Sequence, residues 1–299
     1  MSLDVYSRRK YKRGKFVYLL DDDEKTAWID QGYIGTQRSY CLPDHITIKG
    51  ERYTVESVEL GAYNHPTTLE HLVIPDTFIF VDCDTLYGLE NLRSVHIGKR
   101  LESLNSWNFR CCPNLQDISI DKDNPHIKYE DGMVWSKDGK KLLATFFEHQ
   151  HLVIPEGVEE IKGIVFMDDN KLESVSFPRT LRRICGNCFC NCPNLRRVVL
   201  PEGFKEFEGG QNFMENTNLT HIDLPSTLTN LGYQTFVDCP NLETVVLRSP
   251  KKLDFEYCFG AYLHEKPMIN PYLYVPADLV EQYRQDKEWS VFKNILPIL

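Results

Sequence analysis

Along much of the chain, apolar residues return at fixed offsets and polar residues fill the places between them. The segment 219–242, LTHIDLPSTLTNLGYQTFVDCPNL, overlays on 172–195, LESVSFPRTLRRICGNCFCNCPNL, with Leu, Pro, Leu, Phe and Cys-Pro-Asn-Leu in the same places. The opening leucine recurs at Leu69, Leu92, Leu115, Leu172, Leu195, Leu219 and Leu242, and His149 takes its place once. Successive spacings are therefore 23, 23, 34, 23, 23, 24 and 23 residues. The fourth and sixth positions of the unit are apolar (Val95 and Ile97, Val175 and Phe177, Ile222 and Leu224), whereas the third and fifth are mostly polar. Alternation of period two predicts a short strand with one buried and one open face. A proline at the seventh position (Pro75, Pro155, Pro178, Pro201, Pro225) lacks an N–H and ends the strand ladder. A second apolar pair follows at positions ten and thirteen, such as Leu181 with Ile184 and Leu228 with Leu231. The eighteenth position is aromatic at Tyr63, Phe109, Phe166, Phe189, Phe236 and Phe259, and Phe213 fills the same role one place late. One copy cannot bury all of these groups, whereas stacked copies cover each other's apolar flanks.

A period in the twenties with leucines at fixed offsets predicts a leucine-rich-repeat solenoid, β-rich with short helical turns. The pattern LxxVxLPxxLxxIGxxxFxxCxxL, present over about residues 42–299, resembles the BspA-type bacterial leucine-rich repeats. The segment Asn124–Phe147 is similar to the interruption DGxLfxxDgxxL of such arrays, and LYVPADLVEQYRQDKEWSVFKNI resembles their C-terminal cap. Gly98, Asp121 and Arg248 at the proline position and Leu86 at the aromatic position depart from the pattern. The expected architecture is a right-handed curved array with terminal caps. A capping segment with a β-hairpin occupies 1–45 and the array 46–262, with a hairpin insertion at 121–148. A second cap spans 263–299.

Within the first segment, Lys15–Leu20 and Thr26–Ile29 flank the acidic run Asp21–Glu24, which reads as a hairpin turn. That run lacks the ligand order of a calcium loop. In the insertion, Asp138-Gly139 is a type I′ hairpin signal. Leu279, Val280 and Tyr283 recur at helical spacing, and Trp289 with Phe292 completes an amphipathic piece that seals the last coil.

Charge changes the picture little. The 34 Lys and Arg against 43 Asp and Glu give a net charge of −9, and beyond RRKYKRGK no basic block exists, so nucleic acid is not expected as a partner. No window reaches the ~18 apolar residues of a membrane span. The stretch Met1–Gly14 is polar and basic, without the apolar core of a signal peptide, whereas the resemblance implies export. Either Met1-Ser2-Leu3 is a cloning remnant in place of a leader, or this member stays inside the cell.

Candidate chemistry is sparse. Cys185, Cys188, Cys190 and Cys192 read CxxCxCxC, a spacing open to zinc. The repeat offers another account, because Cys192 shares its position with Cys112 and Cys239, and Cys188 shares its own with Cys258. Thiols there would face the core as small hydrophobes. A ladder of disulfides among Cys112, Cys192 and Cys239 is excluded, since two coils at ~4.8 Å each exceed the ~7 Å Cα limit of the bridge. His71, His96, His151 and His221 fall on the open strand face, where Arg197, Asp117 and Asp223 also lie. His71 and His96 sit on neighbouring coils, a spacing at which a metal is possible, though ordinary exposed histidines fit as well. Val73, Val153, Val199 and Val246 are expected to face solvent there, as in a binding sheet or through β-propensity alone. No nucleophile elbow, phosphate loop or HExxH is present, and the paired carboxylates fall on turns.

These features point away from catalysis and from cofactors. They point to a protein- or glycan-binding module whose site residues are His71, His96, Asp117, His151, Arg197, His221 and Asp223. The resemblance implies a bacterial cell-surface or secreted protein that contacts host or neighbouring-cell molecules. The alternatives are a structural spacer of the envelope and an intracellular scaffold.

Overall fold

The computed structural model describes residues 8–32, 36–58, 68–82, 85–254, 257–261, 268 and 270–299. Tyr63 and most of the turn-rich stretch 263–271 lie outside the described residues. The chain forms two compact units, Met1–Lys137 and Asp138–Leu299, and each is a β-solenoid with few helices.

In the first unit, the strands Ser39–Cys41, His71–Ile74, Ser94–Ile97 and Asp117–Ile120 pair in parallel, one per coil. Their fourth- and sixth-position residues turn inward: Leu72, Ile74, Val95 and Ile97 are buried. Gly98 and Asp121 replace proline at the seventh position, and their N–H groups extend the ladder to Ile74 O and Ile97 O at 2.9 and 2.8 Å. Gly98 has a second reason to be there, because a Cβ would lie 2.5 Å from the backbone of Pro75 and Asp76. The second sheet begins with the antiparallel strands Arg9–Arg13, Phe16–Asp21 and Thr26–Gly32. The last of these pairs in parallel with Glu51–Val58, which in turn takes Phe80–Val81. In the acidic turn, Asp21 Oδ1 accepts from the N–H groups of Asp23 and Glu24, while Asp22 is held by Arg9 and Tyr53.

The type I′ turn expected at Asp138-Gly139 lies elsewhere. Ile127–Glu130 and Met133–Ser136 form an antiparallel hairpin closed by Asp131 and Gly132, both at positive φ (52° and 79°). Of the pair 138–139 only Gly139 has positive φ. The Asp138 side chain instead accepts from Lys140 N–H at 3.0 Å, an Asx arrangement that needs no left-handed Asp.

The second unit repeats the same coil. Open-face strands His151–Val153 and Ser174–Ser176 pair with each other. Arg197–Val199, His221–Leu224, Thr244–Leu247, Tyr272–Val275 and Asn294–Pro297 form a five-stranded parallel sheet. A separate parallel sheet contains Lys141–Thr145, Glu160–Ile161, Arg183–Cys185 and Glu206–Glu208. Between the sheets runs a stack of rings. Phe166, Phe189, Phe213, Phe236 and Phe259 follow at centroid spacings of 5.0, 5.0, 5.6 and 5.4 Å, with interplanar angles of 16° or less. Phe207 meets Phe213 and Phe236 edge-on.

The 24-residue coil does not break this stack. Gly209, at φ 76°, is the extra residue, and Gly210 takes the place that Gly186 holds in the preceding coil. Four successive coils turn through two left-handed positions flanking their aromatic: Ile164 and Asp168, Asn187 and Asn191, Gln211 and Glu215, Gln234 and Asp238. Beyond the stack, the helix Val280–Gln285 follows a short 3-10 turn, and Trp289 and Phe292 pack on Phe259 at 5.9 and 5.1 Å.

Cysteines at the twenty-first position do more than fill space. The thiols of Cys112, Cys192 and Cys239 donate to the carbonyls of Leu86, Phe166 and Phe213 at 3.3, 3.1 and 3.3 Å, each one coil back at the aromatic position. Asn216 Nδ2 makes the equivalent bond to Phe189 O at 3.0 Å. Burial pushes the Cys112 thiol up to about 11 and Cys239 to about 12. The four thiols of 185–192 point apart: Cys185 contacts Glu208, Cys188 is in the core, Cys190 packs with Met214 and Val237, and Cys192 donates to Phe166 O. All nine described cysteines are free.

Candidate recognition face

Side chains at the third and fifth positions of each strand project from the open face of its sheet, and register aligns them in two columns. In the first unit one column reads Ser39, His71, Ser94, Asp117 and the other Cys41, Val73, His96, Ser119. His71 Nδ1 lies 2.7 Å from Ser94 Oγ, and His96 Nδ1 lies 2.9 Å from Ser119 Oγ. The two histidines occupy neighbouring strands but different columns, and each is tied to the serine of the next coil. Among the described residues no group of three or more His, Cys, Asp or Glu side chains is placed to hold a metal ion.

In the second unit His151 repeats the device, its Nδ1 lying 3.0 Å from Ser174 Oγ. On the five-stranded sheet one column reads Arg197, His221, Thr244, Tyr272, Asn294 and the other Val199, Asp223, Val246, Tyr274, Leu296. Arg197, His221 and Asp223 are thus brought together. Burial, and then Arg197, lowers the His221 imidazole below its ordinary 6.5, with Asp223 opposing. Asp223 is itself held by a two-point bond from Arg248, both at 2.8 Å. This part of the face thus sets an imidazole biased toward its neutral form near the Arg197 guanidinium and a carboxylate already paired with Arg248.

Val153 and Val199 do face solvent, at 72% and 43% exposure. Val73 and Val246 are half-buried instead, screened by larger neighbours in their columns. The sequence pattern also left out two residues of this face. Tyr272 and Tyr274 stand on the strand after the last leucine copy, their rings stacked at 6.4 Å, and Tyr272 is 45% exposed. The alternation Tyr-Leu-Tyr-Val carried the signal, hidden within a segment read as a cap.

Of the three buried carboxylates among the described residues, Asp169 and Glu160 depart from the expectation that paired carboxylates sit on solvated turns. Asp169 stands where other coils have cysteine, and His149 stands where they have leucine, so one coil has both replacements. The Asp169 carboxylate accepts from the N–H groups of His149, Lys171 and Leu172 at 2.9, 3.0 and 3.1 Å. His149 Nδ1 lies 3.6 Å from it, and the imidazole edge meets Phe166. The second is Glu160, 8% exposed, with Lys141 and Lys162 beside it. Glu160 lines a groove and has the Cys185 thiol 3.8 Å from its Oε1, but burial pushes that thiol up to about 12, away from a reactive thiolate.

The BspA type leucine rich repeat region matches this chain in six copies, over residues 46–130 and 140–262. Compared with the curated proteins, the sequence has no match. Among solved structures, the chain is similar to the pneumococcal vaccine antigen PcpA at 14% identity and a TM-score of 0.56, covering 97% of this chain and 98% of that one. It is also similar to a leucine-rich repeat protein from Bacteroides ovatus at 16% identity and a TM-score of 0.51, covering 96% and 76%. At these identities the likeness is one of fold, and it agrees with the coil geometry above. No described helix is long and apolar enough to cross a membrane. The repeat, found in most of the chain and folded as its pattern requires, makes this protein a member of the BspA-type leucine-rich-repeat family.

Proposed function

We propose that this chain is a non-catalytic recognition module that takes a protein or glycan ligand on its open strand faces. In this reading 1–45 and 263–299 cap an array at 46–262, with 121–148 inserted. The module works at the bacterial cell surface or in secreted form, a placement that membership of the family supports. One observation carries the binding role: the face mixes exposed apolar groups (Val153, Val199, Tyr272) with His151, Arg197 and His221, where solubility alone favours uniform polarity. Affinity would come from a few central anchors amid weak contacts. The contact residues are His71, His96, Asp117, His151, Arg197, His221 and Asp223, joined by Tyr272 and Tyr274.

A surface-display pull-down against host matrix proteins and glycans tests the reading. The native chain is compared with one in which His71, His96, His151, His221 and Arg197 are substituted together, and folding is verified by circular dichroism. Capture that disappears on substitution is the expected result. Partners that still bind the folded variant would sink the open-face assignment.

A further inference from the structure

The second sheet of the Asp138–Leu299 unit has its own charged surface, separate from the open face. Most charges there alternate from coil to coil. In one column Lys141, Glu160, Arg183 and Glu206 follow in register, with Lys141–Glu160 and Arg183–Glu206 both at 3.5 Å. Opposite charges on adjacent strands stabilise a sheet, and like charges destabilise it. The column beside it breaks the rule: Glu159, then Arg182, then Lys205. Lys140 takes Glu159 at 2.8 Å. Among the described residues, neither Arg182 nor Lys205 has a carboxylate within ion-pair distance, and both are exposed.

The Arg182 guanidinium is also held in place. Its Nη1 donates to Arg179 O and Leu181 O at 2.9 and 3.0 Å. It lies over Gly203, where a Cβ would come within 2.6 Å of Nη1. The glycine, at φ 100°, leaves the room that the guanidinium occupies. The backbone bond from Lys205 N–H to Arg182 O at 2.9 Å sets the two cations on adjacent coils. Both line a groove of about 380 Å³. Four acids also line it: Glu159, Glu160 and Glu206 are engaged by Lys140, Lys141 and Arg183, and Asp138 accepts from Lys140 N–H.

We propose that Arg182 and Lys205 form an oxyanion-binding site, which takes one sulfate, phosphate or carboxylate group of a ligand. Arg182 presents its Nε and Nη2 donors as a planar fork, and Lys205 adds a point charge. An anion between them removes the like-charge repulsion that the sheet otherwise carries. The chain as a whole bears a net charge of −9, so attraction of an anion here is local and not a property of the whole surface. An acidic sugar and a free inorganic ion share this chemistry.

The test is a titration of the full chain, labelled with ¹⁵N, at constant ionic strength. Sodium sulfate, sodium phosphate and sodium glucuronate are each compared with sodium chloride. The signals followed are Arg182 Nε–H and the backbone amides of Gly203 and Lys205. Saturable shifts with an oxyanion and not with chloride are expected. R182Q and K205Q should each weaken the apparent Kd about tenfold, the loss of one charge-assisted contact. G203A keeps every charge but displaces Arg182, and should weaken binding as well. R197Q, on the open face, should leave it unchanged, which separates this site from the recognition face. Tighter binding of glucuronate than of the inorganic ions would assign the site to an acidic sugar, and the reverse order to a free ion. Equal shifts with chloride, or titrations indifferent to R182Q and K205Q, would overturn the proposal.

Discussion

Two asparagines occupy the seventeenth position of different coils, and they should respond oppositely to the same substitution. Asn108 and Asn212 are both fully buried. The Asn108 amide is saturated: Nδ2 donates to Val81 O and Asp82 O at 3.3 and 2.7 Å, and Oδ1 accepts from Asn105 N–H at 2.8 Å. Among the described residues, the Asn212 amide has no hydrogen-bond partner at either Nδ2 or Oδ1. Other coils place Cys188 and Cys258 at this position, so the site accepts a thiol of nearly the same volume. A buried polar group left unpaired costs about 1–3 kcal/mol. Asn212→Cys should therefore raise stability by about 1–2 kcal/mol. Asn108→Cys breaks three bonds and strands their partners, for a loss of about 3 kcal/mol or more. Urea unfolding gives the two midpoints. Exchange of the Phe189 amide, which bonds to Asn212 O at 2.8 Å, reports locally and should slow about tenfold in the first variant. A lower midpoint for Asn212→Cys, or shifts of one sign for both variants, would refute the reasoning.

Four further outcomes follow from the geometry. Asp169→Ala removes the acceptor of three backbone N–H groups and should cost about 3 kcal/mol or more in urea unfolding; Asp169→Asn, which keeps an acceptor oxygen, should cost roughly half. Ile164 is a β-branched residue at φ 59°, where the next coil has Asn187. A left-handed side chain of this type costs about 1–2 kcal/mol, so Ile164→Asn should raise the thermal midpoint, and a fall would mean that its packing outweighs the strain. Burial resists ionisation of Glu160, but Lys162, Lys141 and Arg183 outweigh it and hold the carboxyl below its ordinary 4.5. A depressed folded value contributes stability above the unfolded pKa that disappears as pH falls through the folded one; acid unfolding of Glu160→Gln should accordingly show a shallower loss below about 4.5 than the native chain. Finally, iodoacetamide at pH 8 should label exposed Cys41 and Cys111 much faster than Cys188, Cys239 and Cys258; burial raises the last two to about 12. Equal labelling rates by mass spectrometry would contradict the buried assignment.

The architecture was legible because a solenoid repeats its core. Leu, Val and Phe return at the same offsets, and each offset corresponds to one direction in the coil. The delay at Phe213 was readable from the single 24-residue spacing for the same reason. What escaped was whatever occurs once or depends on a neighbouring coil. His149 and Asp169 replace a leucine and a cysteine twenty residues apart, and only the coil brings them together. The cysteine donors were invisible because a thiol in an apolar slot looks like a small hydrophobe until the carbonyl one coil away is in view. Tyr272 and Tyr274 alternate as a strand should, but they follow the last leucine copy and so lacked the repeat that identified the others. The columns of the second sheet depend on register across 23 residues, and sign alternation across such a distance is not a local pattern.

Gly209 has a consequence for how such a chain can be altered. The added residue is absorbed at its own turn: the Phe189 and Phe213 rings remain 5.0 Å apart and 1° from parallel. The outer contour of a coil is thus uncoupled from its inner register. This turn is a natural grafting point, where a peptide can be displayed from an array without rebuilding it. Lineages that lengthen or diversify their outer turns can do so by small insertions here, while the buried stack passes unchanged from one descendant to the next.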